Sequence, residues 1–217
     1  MKMKAPLFLS SFYVRRHIQR FLKLPVMSVT LIWLPLIEEI IKLKFKKGER
    51  LYLAIDRTQW SNKNLLTIAV IIEKRAIPIY WQFLNKKGAS KLVEQQALIR
   101  PVLRLLKSYE LVVLGDREFH SVELAKWLYS RKVYFLFRQK KDTYIQEKGK
   151  DFQRLDSLKF TSGAKLFLTN LKVRKEKGFS QGSIGIYWKR KYRGKFEEQP
   201  WYLSSESSDL NRSGEIL

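Results

Sequence analysis

Two short apolar segments, each followed by an Asp-Arg pair, decide how this chain is organised. The first is LYLAIDR at residues 51–57, in which apolar side chains alternate until the run closes at Asp56. The second is LVVLGDR at residues 111–117, a continuous apolar run that ends at Gly115 and Asp116. Short apolar runs of both kinds predict strands. We therefore expect two core strands, each with an aspartate at its carboxyl end.

The neighbouring segments complete a β-β-β-α-β-α-β order. Alternating helices and strands after a three-strand start imply an α/β fold with a mixed sheet and right-handed crossovers. Pro78 predicts an edge position for the third strand, and Ser90 and Ser121 are expected to cap the two helices. The expected strands are Leu65–Ile72, Ala76–Leu84 and Val133–Phe137, and the expected helices are Ser90–Lys107 and Ser121–Arg131.

Composition along the chain suggests four regions. Residues 1–48 contain two segments with helical apolar spacing and form a short helical N-terminal segment, and residues 49–140 form the core. Residues 141–203 hold only short strand-like runs and are expected to be a basic, mostly β insertion. Residues 204–217 are polar, Ser-rich and acidic, which is typical of a tail.

The charge of the chain favours a polyanionic partner. Its 217 residues include 43 Lys and Arg against 20 Asp and Glu, a formal net charge of +23. Such an excess raises the local concentration of polyanions around the fold. Nucleic acid is therefore the first candidate partner, and an anionic membrane surface is the second.

A membrane partner is poorly supported by the apolar segments. The longest uncharged apolar run, residues 24–37, has 14 residues and contains Pro25 and Pro35, whereas a spanning helix needs about 20. Residues 1–13 have a basic start and a short apolar stretch but no small-residue cleavage site. We expect no membrane partner and a cytoplasmic location.

Cysteine and histidine usage restricts the metal chemistry. The chain has no cysteine and two histidines, His17 and His120, so thiolate zinc sites and histidine clusters are excluded. A metal site must rest on carboxylates, which favour hard ions such as Mg²⁺ or Mn²⁺.

Asp56 and Asp116 are the candidate ligands for such an ion. If their strands are parallel neighbours, a strand spacing of about 4.8 Å brings both carboxylates within reach of one ion. Metal ions held in this way can activate a nucleophile and stabilise the leaving oxygen of a phosphodiester. The alternative is that each aspartate is only a turn former or a helix cap.

Basic side chains surround both aspartates and fill the insertion. Arg57 and Arg117 either clamp phosphate or form ion pairs with neighbouring acids, and Glu118 is either a ligand or a residue that compensates a helix dipole. Cationic clusters interleaved with tyrosine and tryptophan favour a nucleic-acid groove over a merely solvated face. Their candidate DNA-binding residues are Arg138, Lys140, Lys141, Lys189, Arg190, Lys191 and Arg193.

These motifs resemble a known family. LYLAIDRTQW at residues 51–60 and VLGDREF at residues 113–119 resemble the catalytic core of bacterial insertion-sequence transposases of the DDE type. The resemblance runs from about Trp33 to Leu203. It implies a ribonuclease H-like core interrupted by a β-rich insertion before the last catalytic glutamate.

The resemblance also implies roles for residues and partners. Asp56 and Asp116 match the first two catalytic, metal-binding aspartates, with Mg²⁺ or Mn²⁺ as cofactor. The implied activity is metal-dependent cleavage at transposon ends followed by strand transfer. The implied partners are double-stranded DNA, as transposon ends and target DNA, and further copies of the chain in an active assembly, associated with the bacterial nucleoid when DNA is bound.

The chain departs from this family at the third acid. The family pattern is Tyr-x2-Arg-x3-Glu-x6-Lys, and Tyr187 and Arg190 match its first half, but Gly194 and Trp201 occupy the Glu and Lys positions. The third acid is therefore unassigned. We expect a truncated copy with little or no activity, and the alternative is a non-catalytic, sequence-tolerant DNA-binding fragment.

Overall fold

The computed structural model describes residues 11–22, 24, 28–174, 179–190 and 199–206. The chain forms two compact units, Met1–Lys46 and Lys47–Leu217. The predicted core and insertion both lie within the second unit, so the boundary between them stays a prediction.

The first unit is helical, as expected. Helix α1 spans Ser11–Leu22, a π-helical turn spans Val29–Trp33, and helix α2 spans Leu34–Lys44. Proline stands in the first turn of α2, where a missing N–H costs no intrahelical bond. Ile37 and Ile41, four residues apart on one face of α2, are buried. None of the helices in the described ranges reaches the length and apolar character that crossing a bilayer requires.

The second unit is built on one mixed sheet with ten strands in the described residues. Two helices lie between core strands along the chain. The strands are β1 Arg50–Trp60, β2 Lys63–Ile72, β3 Arg75–Leu84, β4 Glu110–Gly115, β5 Tyr134–Arg138, β6 Tyr144–Gln146, β7 Gln153–Arg154, β8 Lys165–Val173, β9 Phe179–Tyr187 and β10 Trp201–Glu206, and the helices are α3 Leu92–Leu105 and α4 Val122–Ser130.

The core half of the sheet confirms the predicted element order. Its strands are arranged β3-β2-β1-β4-β5. Strands β1, β2 and β3 pair antiparallel, whereas β1, β4 and β5 pair parallel through the crossover helices. Pro78 lies on the edge strand β3, as predicted, because a residue without an N–H cannot donate to a further strand.

The insertion continues the same sheet rather than forming a separate one. Strand β10 pairs antiparallel with β5, and β9, β8, β6 and β7 follow in that order. The mostly β character is therefore confirmed. The insertion has its own buried cluster, formed by Ile145, Leu155, Leu171, Val173, Ile184, Ile186 and Tyr202.

Three details differ from the sequence expectations. Strand β10 continues through Ser204 and Ser205, which are buried, to Glu206, so the expected start of a tail at residue 204 is wrong. Strands β6 and β7, of three and two residues, were not expected, because so short a run shows no readable alternation. Ser90 does not cap α3; the cap residue is Lys91, whose N–H donates to Glu94 Oε2 at 2.6 Å. Ser121 does cap α4, and its hydroxyl accepts the Leu124 N–H at 3.0 Å.

His120 lies where the core meets the insertion. Arg174 Nη2, just after β8, donates to the His120 carbonyl oxygen at 3.2 Å. Burial lowers the pKa of His120 below its ordinary value of 6.5, and the positive charges of Arg174 and Lys140 lower it further. A hydrogen bond to the Arg117 backbone and the charge of Asp142 oppose this shift without reversing it. The folded chain therefore favours a neutral imidazole at this junction.

We predict that acid weakens the fold through His120. Because its pKa is lower in the folded chain, the unfolded chain binds more protons, so the stabilising contribution is complete above the ordinary pKa of 6.5 and is lost as the pH falls through the folded-state value. Urea unfolding at about pH 7.5 and about pH 5.5 measures this loss. His120→Gln should reduce the difference between the two conditions, whereas His17→Gln, on the exposed side of α1, should not. Equal pH dependence in both variants would contradict the assignment.

Candidate active site

The parallel pairing of β1 and β4 brings the two predicted aspartates together. The last paired residues of these strands are Ile55 and Gly115, so Asp56 and Asp116 are the next residue on each strand path. Neighbouring strands lie about 4.8 Å apart. Both aspartates are exposed at this edge. Asp116 follows the end of β4, as expected, whereas β1 continues past Asp56 to Trp60, so the expected strand end at Asp56 is wrong. The condition on which the predicted metal site depends, parallel neighbouring strands, is therefore met.

Strand β5 adds a basic residue to the same row. Gly115 of β4 is paired with Phe137 of β5, so Arg138 follows at the level of Asp116. The Arg138 guanidinium lies over the Trp201 ring of β10, 4.4 Å from the ring centroid. A guanidinium stacked on an indole is held in place while its edge still offers N–H donors.

The turn after β4 explains why glycine precedes Asp116. A Cβ on Gly115 would lie 2.8 Å from Phe119 Cβ and 3.0 Å from Phe137 Cδ1. Asp116 Oδ1 accepts the Glu118 N–H at 2.9 Å, and the Asp116 carbonyl accepts the Phe119 N–H at 3.1 Å. Asp116 is therefore a turn former, as the alternative reading proposed, and it also stands at the end of a core strand.

The donor chemistry at this edge fits a divalent cation in part. Two exposed carboxylates on adjacent strands are the hard oxygen donors that Mg²⁺ and Mn²⁺ prefer. In the described part of the chain, no group of three or more Asp, Glu or His side chains is placed to hold a metal ion. Binding of a metal ion by Asp56 and Asp116 stays a prediction.

Arg57 and Glu118 form an ion pair beside the two aspartates. Arg57 Nε donates to Glu118 Oε2 at 2.5 Å, and the two side chains are 19% and 13% exposed. Glu118 Oε1 also accepts from the Ser90 N–H at 2.9 Å and from the Ser90 hydroxyl at 2.8 Å. The sequence left open whether Arg57 binds phosphate or forms an ion pair, and the structure shows the ion pair. Glu118 is the partner of Arg57 in that pair, so it does not serve mainly to compensate a helix dipole. Phosphate binding by Arg57 stays a prediction.

Asn64 extends this pair into a network. Arg57 Nη1 donates to Asn64 Oδ1 at 3.0 Å, and Asn64 Nδ2 donates to the carbonyls of Lys86 and Gly88 at 3.0 and 2.8 Å. Asn64 is fully buried. The resulting set of Arg57, Asn64, Ser90 and Glu118, here called the Arg57–Glu118 network, ties β1, β2, the segment before α3 and the turn after β4. It therefore fixes the two segments that carry the aspartates.

Four more of the predicted DNA-binding residues lie within the described part of the chain, at the same end of the sheet as the aspartates. Because β9 runs parallel to β5 across β10, residues after Tyr187 and residues after Arg138 leave the sheet in the same direction. Lys140, Lys141, Lys189 and Arg190 are exposed there. Lys191 and Arg193 lie outside the described residues. DNA binding by any of these six residues stays a prediction.

The sequence shows which family this chain represents. The profile of the family described as Transposase DDE domain matches residues 53–210, well over half of the chain. The chain belongs to this family. DDE transposases depend in general on divalent metal ions, in agreement with carboxylates at the candidate site.

The solved structures that show some similarity belong to proteins much longer than this chain. A piggyBac transposase, in a synaptic complex with hairpin DNA, is 13% identical with a TM-score of 0.47, and the similarity covers 91% of this chain and 43% of that chain. An Argonaute of Marinitoga piezophila, in complex with 5′-OH guide RNA and target DNA, is 11% identical with a TM-score of 0.35 and coverage of 77% and 24%. This chain therefore spans less than half the length of either protein. No curated protein sequence matches it.

We predict that the Arg57–Glu118 network contributes strongly to stability. Glu118→Ala leaves the Arg57 charge largely buried without its carboxylate, which should lower the free energy of unfolding by about 3 kcal/mol. Glu118→Gln, which keeps an acceptor for Ser90, should cost less. Urea denaturation measures both.

Glu147→Ala is the matched control for this change. Glu147 pairs with Lys150 at 2.6 Å, but the Lys150 side chain is 63% exposed, and exposed pairs contribute little. A loss for Glu118→Ala no larger than for Glu147→Ala would contradict a structural role for the network.

Proposed function

We propose that this chain carries the catalytic core of an insertion-sequence transposase, a class of enzyme that cuts double-stranded DNA at transposon ends and joins them to target DNA. Because its third acid is unassigned, we propose that the chain has little or no such activity on its own. The observation that supports this is the row of Asp56, Asp116 and Arg138, each of which comes directly after the last parallel-paired residue of its strand. In open α/β sheets, ligands bind outside the carboxyl ends of the strands. Two acids and a cation in one row suit a metal ion and a phosphate group side by side.

Asp56 and Asp116 are proposed to hold Mg²⁺ or Mn²⁺. When bound, such an ion polarises a phosphodiester and lowers the pKa of a coordinated water. The chain's own contribution is to place two carboxylates on adjacent strands whose register the Arg57–Glu118 network fixes. This rigidity matters because two repelling carboxylates must stay close before a cation arrives.

Arg117 and Arg138 are proposed to bind the phosphate next to that ion. Arg117 follows Asp116 directly in the turn after β4 and is partly exposed, so a phosphate beside the proposed ion can accept hydrogen bonds from its guanidinium. Arg138 is already oriented by Trp201. The exposed cations after β5 and β9 would follow the DNA backbone away from the site. We further propose self-association in the active assembly and a location with the bacterial nucleoid.

The second candidate function is a non-catalytic, sequence-tolerant DNA-binding module. It is favoured by the finding that no group of three or more candidate metal ligands comes together in the described residues. The two candidates predict different behaviour. Catalysis requires both aspartates, whereas backbone binding is indifferent to them and falls steeply with salt.

We predict that a divalent cation stabilises the chain through the two aspartates. At a Mn²⁺ concentration ten times the Kd, binding should add about 1.4 kcal/mol, or about 3–6 °C in Tm for a domain of this size. Asp56→Asn and Asp116→Asn should each abolish the shift. Asparagine keeps the oxygen that accepts the Glu118 N–H, so the turn after β4 is preserved.

Asp151→Asn is the control for this experiment, because Asp151 is an exposed carboxylate of the insertion. It should retain the full Mn²⁺ shift in differential scanning calorimetry. Shifts that survive in Asp56→Asn and Asp116→Asn would place the ion elsewhere and contradict the proposed site.

We predict that nicking of supercoiled plasmid DNA in Mn²⁺ separates the two candidate functions. If the chain is catalytic, either aspartate variant should lower the nicking rate by at least roughly 10–100-fold. That is the loss seen when a residue that hydrogen-bonds a metal ligand is removed, and removal of the ligand itself should cost no less. DNA binding, measured by fluorescence anisotropy without Mn²⁺, should be retained in both variants. Binding without any nicking by the unmodified chain would favour the non-catalytic module.

A further inference from the structure

A basic cavity lies in the core half of the second unit, away from the candidate active site. Its volume is about 860 Å³, and its apolar floor includes Leu103, Leu111 and Val133. Five cationic side chains surround this floor and define what is here called the basic cavity: Arg100, Arg104, Lys107, Arg131 and Lys132.

The strand directions place the basic cavity at the opposite edge of the sheet from Asp56 and Asp116. Leu111 lies near the start of β4 and Val133 just before β5, whereas Asp116 follows the end of β4. Leu111 and Asp116 are five residue steps apart along the chain, about 17 Å at about 3.3 Å per step. A ligand in the basic cavity therefore does not compete for the metal-binding edge.

The charge of the basic cavity is not neutralised by the described residues. No carboxylate among them forms an ion pair with any of the five cations. Glu110, at the start of β4, is bound to Arg50 at 2.6 Å. Helices α3 and α4 both end here, and each helix C-terminus offsets about half a charge. A positive charge of about four remains.

Two of the arginines are held in place by a shared aromatic ring. The guanidinium carbons of Arg100 and Arg131 lie 5.8 and 5.6 Å from the centroid of the Trp127 ring. Arg100 Nη2 also donates to Gln96 Oε1 at 3.1 Å. Stacked guanidinium groups lose less entropy when they bind a phosphate, because their orientation is already restricted.

We propose that the basic cavity binds the phosphodiester backbone of DNA, independently of the metal-binding edge. Arg100 and Arg104 are one helical turn apart, about 6 Å along the axis, and Lys107 continues this row past the end of α3. A single small anion can contact only some of five such spread charges. A DNA strand offers a charge every 3.4 Å along the duplex axis and can engage them together.

This inference goes beyond the proposed function, because it assigns a second DNA-binding surface to the same unit. One molecule then holds two DNA segments, one at each edge of the sheet. Neither aspartate takes part in the second contact, so the binding does not require a metal ion.

Lysine acetylation of the full chain, with and without a saturating random-sequence DNA duplex and without divalent ions, tests this proposal. Lys107 and Lys132 should react several-fold more slowly with DNA bound. Lys74, in the β2–β3 turn, and Lys126, on α4, are exposed lysines outside the basic cavity and should keep their rates. Unchanged rates at Lys107 and Lys132 would overturn the proposal.

Capture of a second duplex gives an independent readout. The chain, bound to a surface-tethered duplex, should take up a second labelled duplex. Lys107→Gln/Lys132→Gln should lose this uptake, whereas Lys74→Gln/Lys126→Gln, with the same change in net charge, should retain it. The positions match closely, since Lys74 and Lys132 both have a positive φ, +66° and +57°.

Two further acetylation measurements separate a failure of this proposal from a failure of the proposed metal site. Asp56→Asn/Asp116→Asn should show the same protection of Lys107 and Lys132, so loss of metal binding and loss of this site are distinguishable. Protection by poly-glutamate but not by DNA would assign the basic cavity to an acidic protein partner and overturn the proposal.

Discussion

The parallel pairing of β1 with β4 is the constraint on which the candidate site depends. Only a parallel register with Ile55 opposite Gly115 puts the two aspartates at the same edge and on neighbouring strands. A parallel pair cannot be joined by a short turn and needs a crossover, which β2, β3 and α3 provide. The segment between residues 61 and 109 therefore allows two aspartates that are 60 positions apart in sequence to lie on neighbouring strands.

Pairing between β1 and β4 does not by itself hold the aspartates steady, because it ends at Ile55 and Gly115, one residue before each of them. The Arg57–Glu118 network supplies this restraint from the residues directly beside them. Arg57 follows Asp56 and Glu118 lies two residues after Asp116, so their ion pair joins the two segments a second time. Asn64 accepts a further hydrogen bond from Arg57, and Ser90 donates to Glu118, which matters because a buried ion pair is stable only when additional hydrogen bonds support it.

Periodicity and strand-end chemistry were enough to predict the core order and the positions of both aspartates, because these signals are local in sequence. The partners of Arg57 were not predictable, since Glu118 is 61 residues away and no pattern in either segment favours an ion pair over phosphate binding or metal ligation. Ser90 shows the same limit: its local pattern predicts a helix cap, but a tertiary carboxylate binds it instead. The basic cavity escaped sequence reading because its cations come from two segments, residues 100–107 and 131–132, and gather only where α3 and α4 end together.

The way acids are used explains why a chain of charge +23 still forms specific sites. Glu94, Glu110 and Glu118 of the core are each bound to a cation of the fold, Lys86, Arg50 and Arg57. These glutamates stabilise the structure and are not available to ligands. Asp56 and Asp116 have no such ion pair among the described residues. The fold therefore neutralises these three glutamates internally and leaves the edge aspartates without an ion pair among the described residues, which is the arrangement that attracts a cation within an otherwise strongly basic surface.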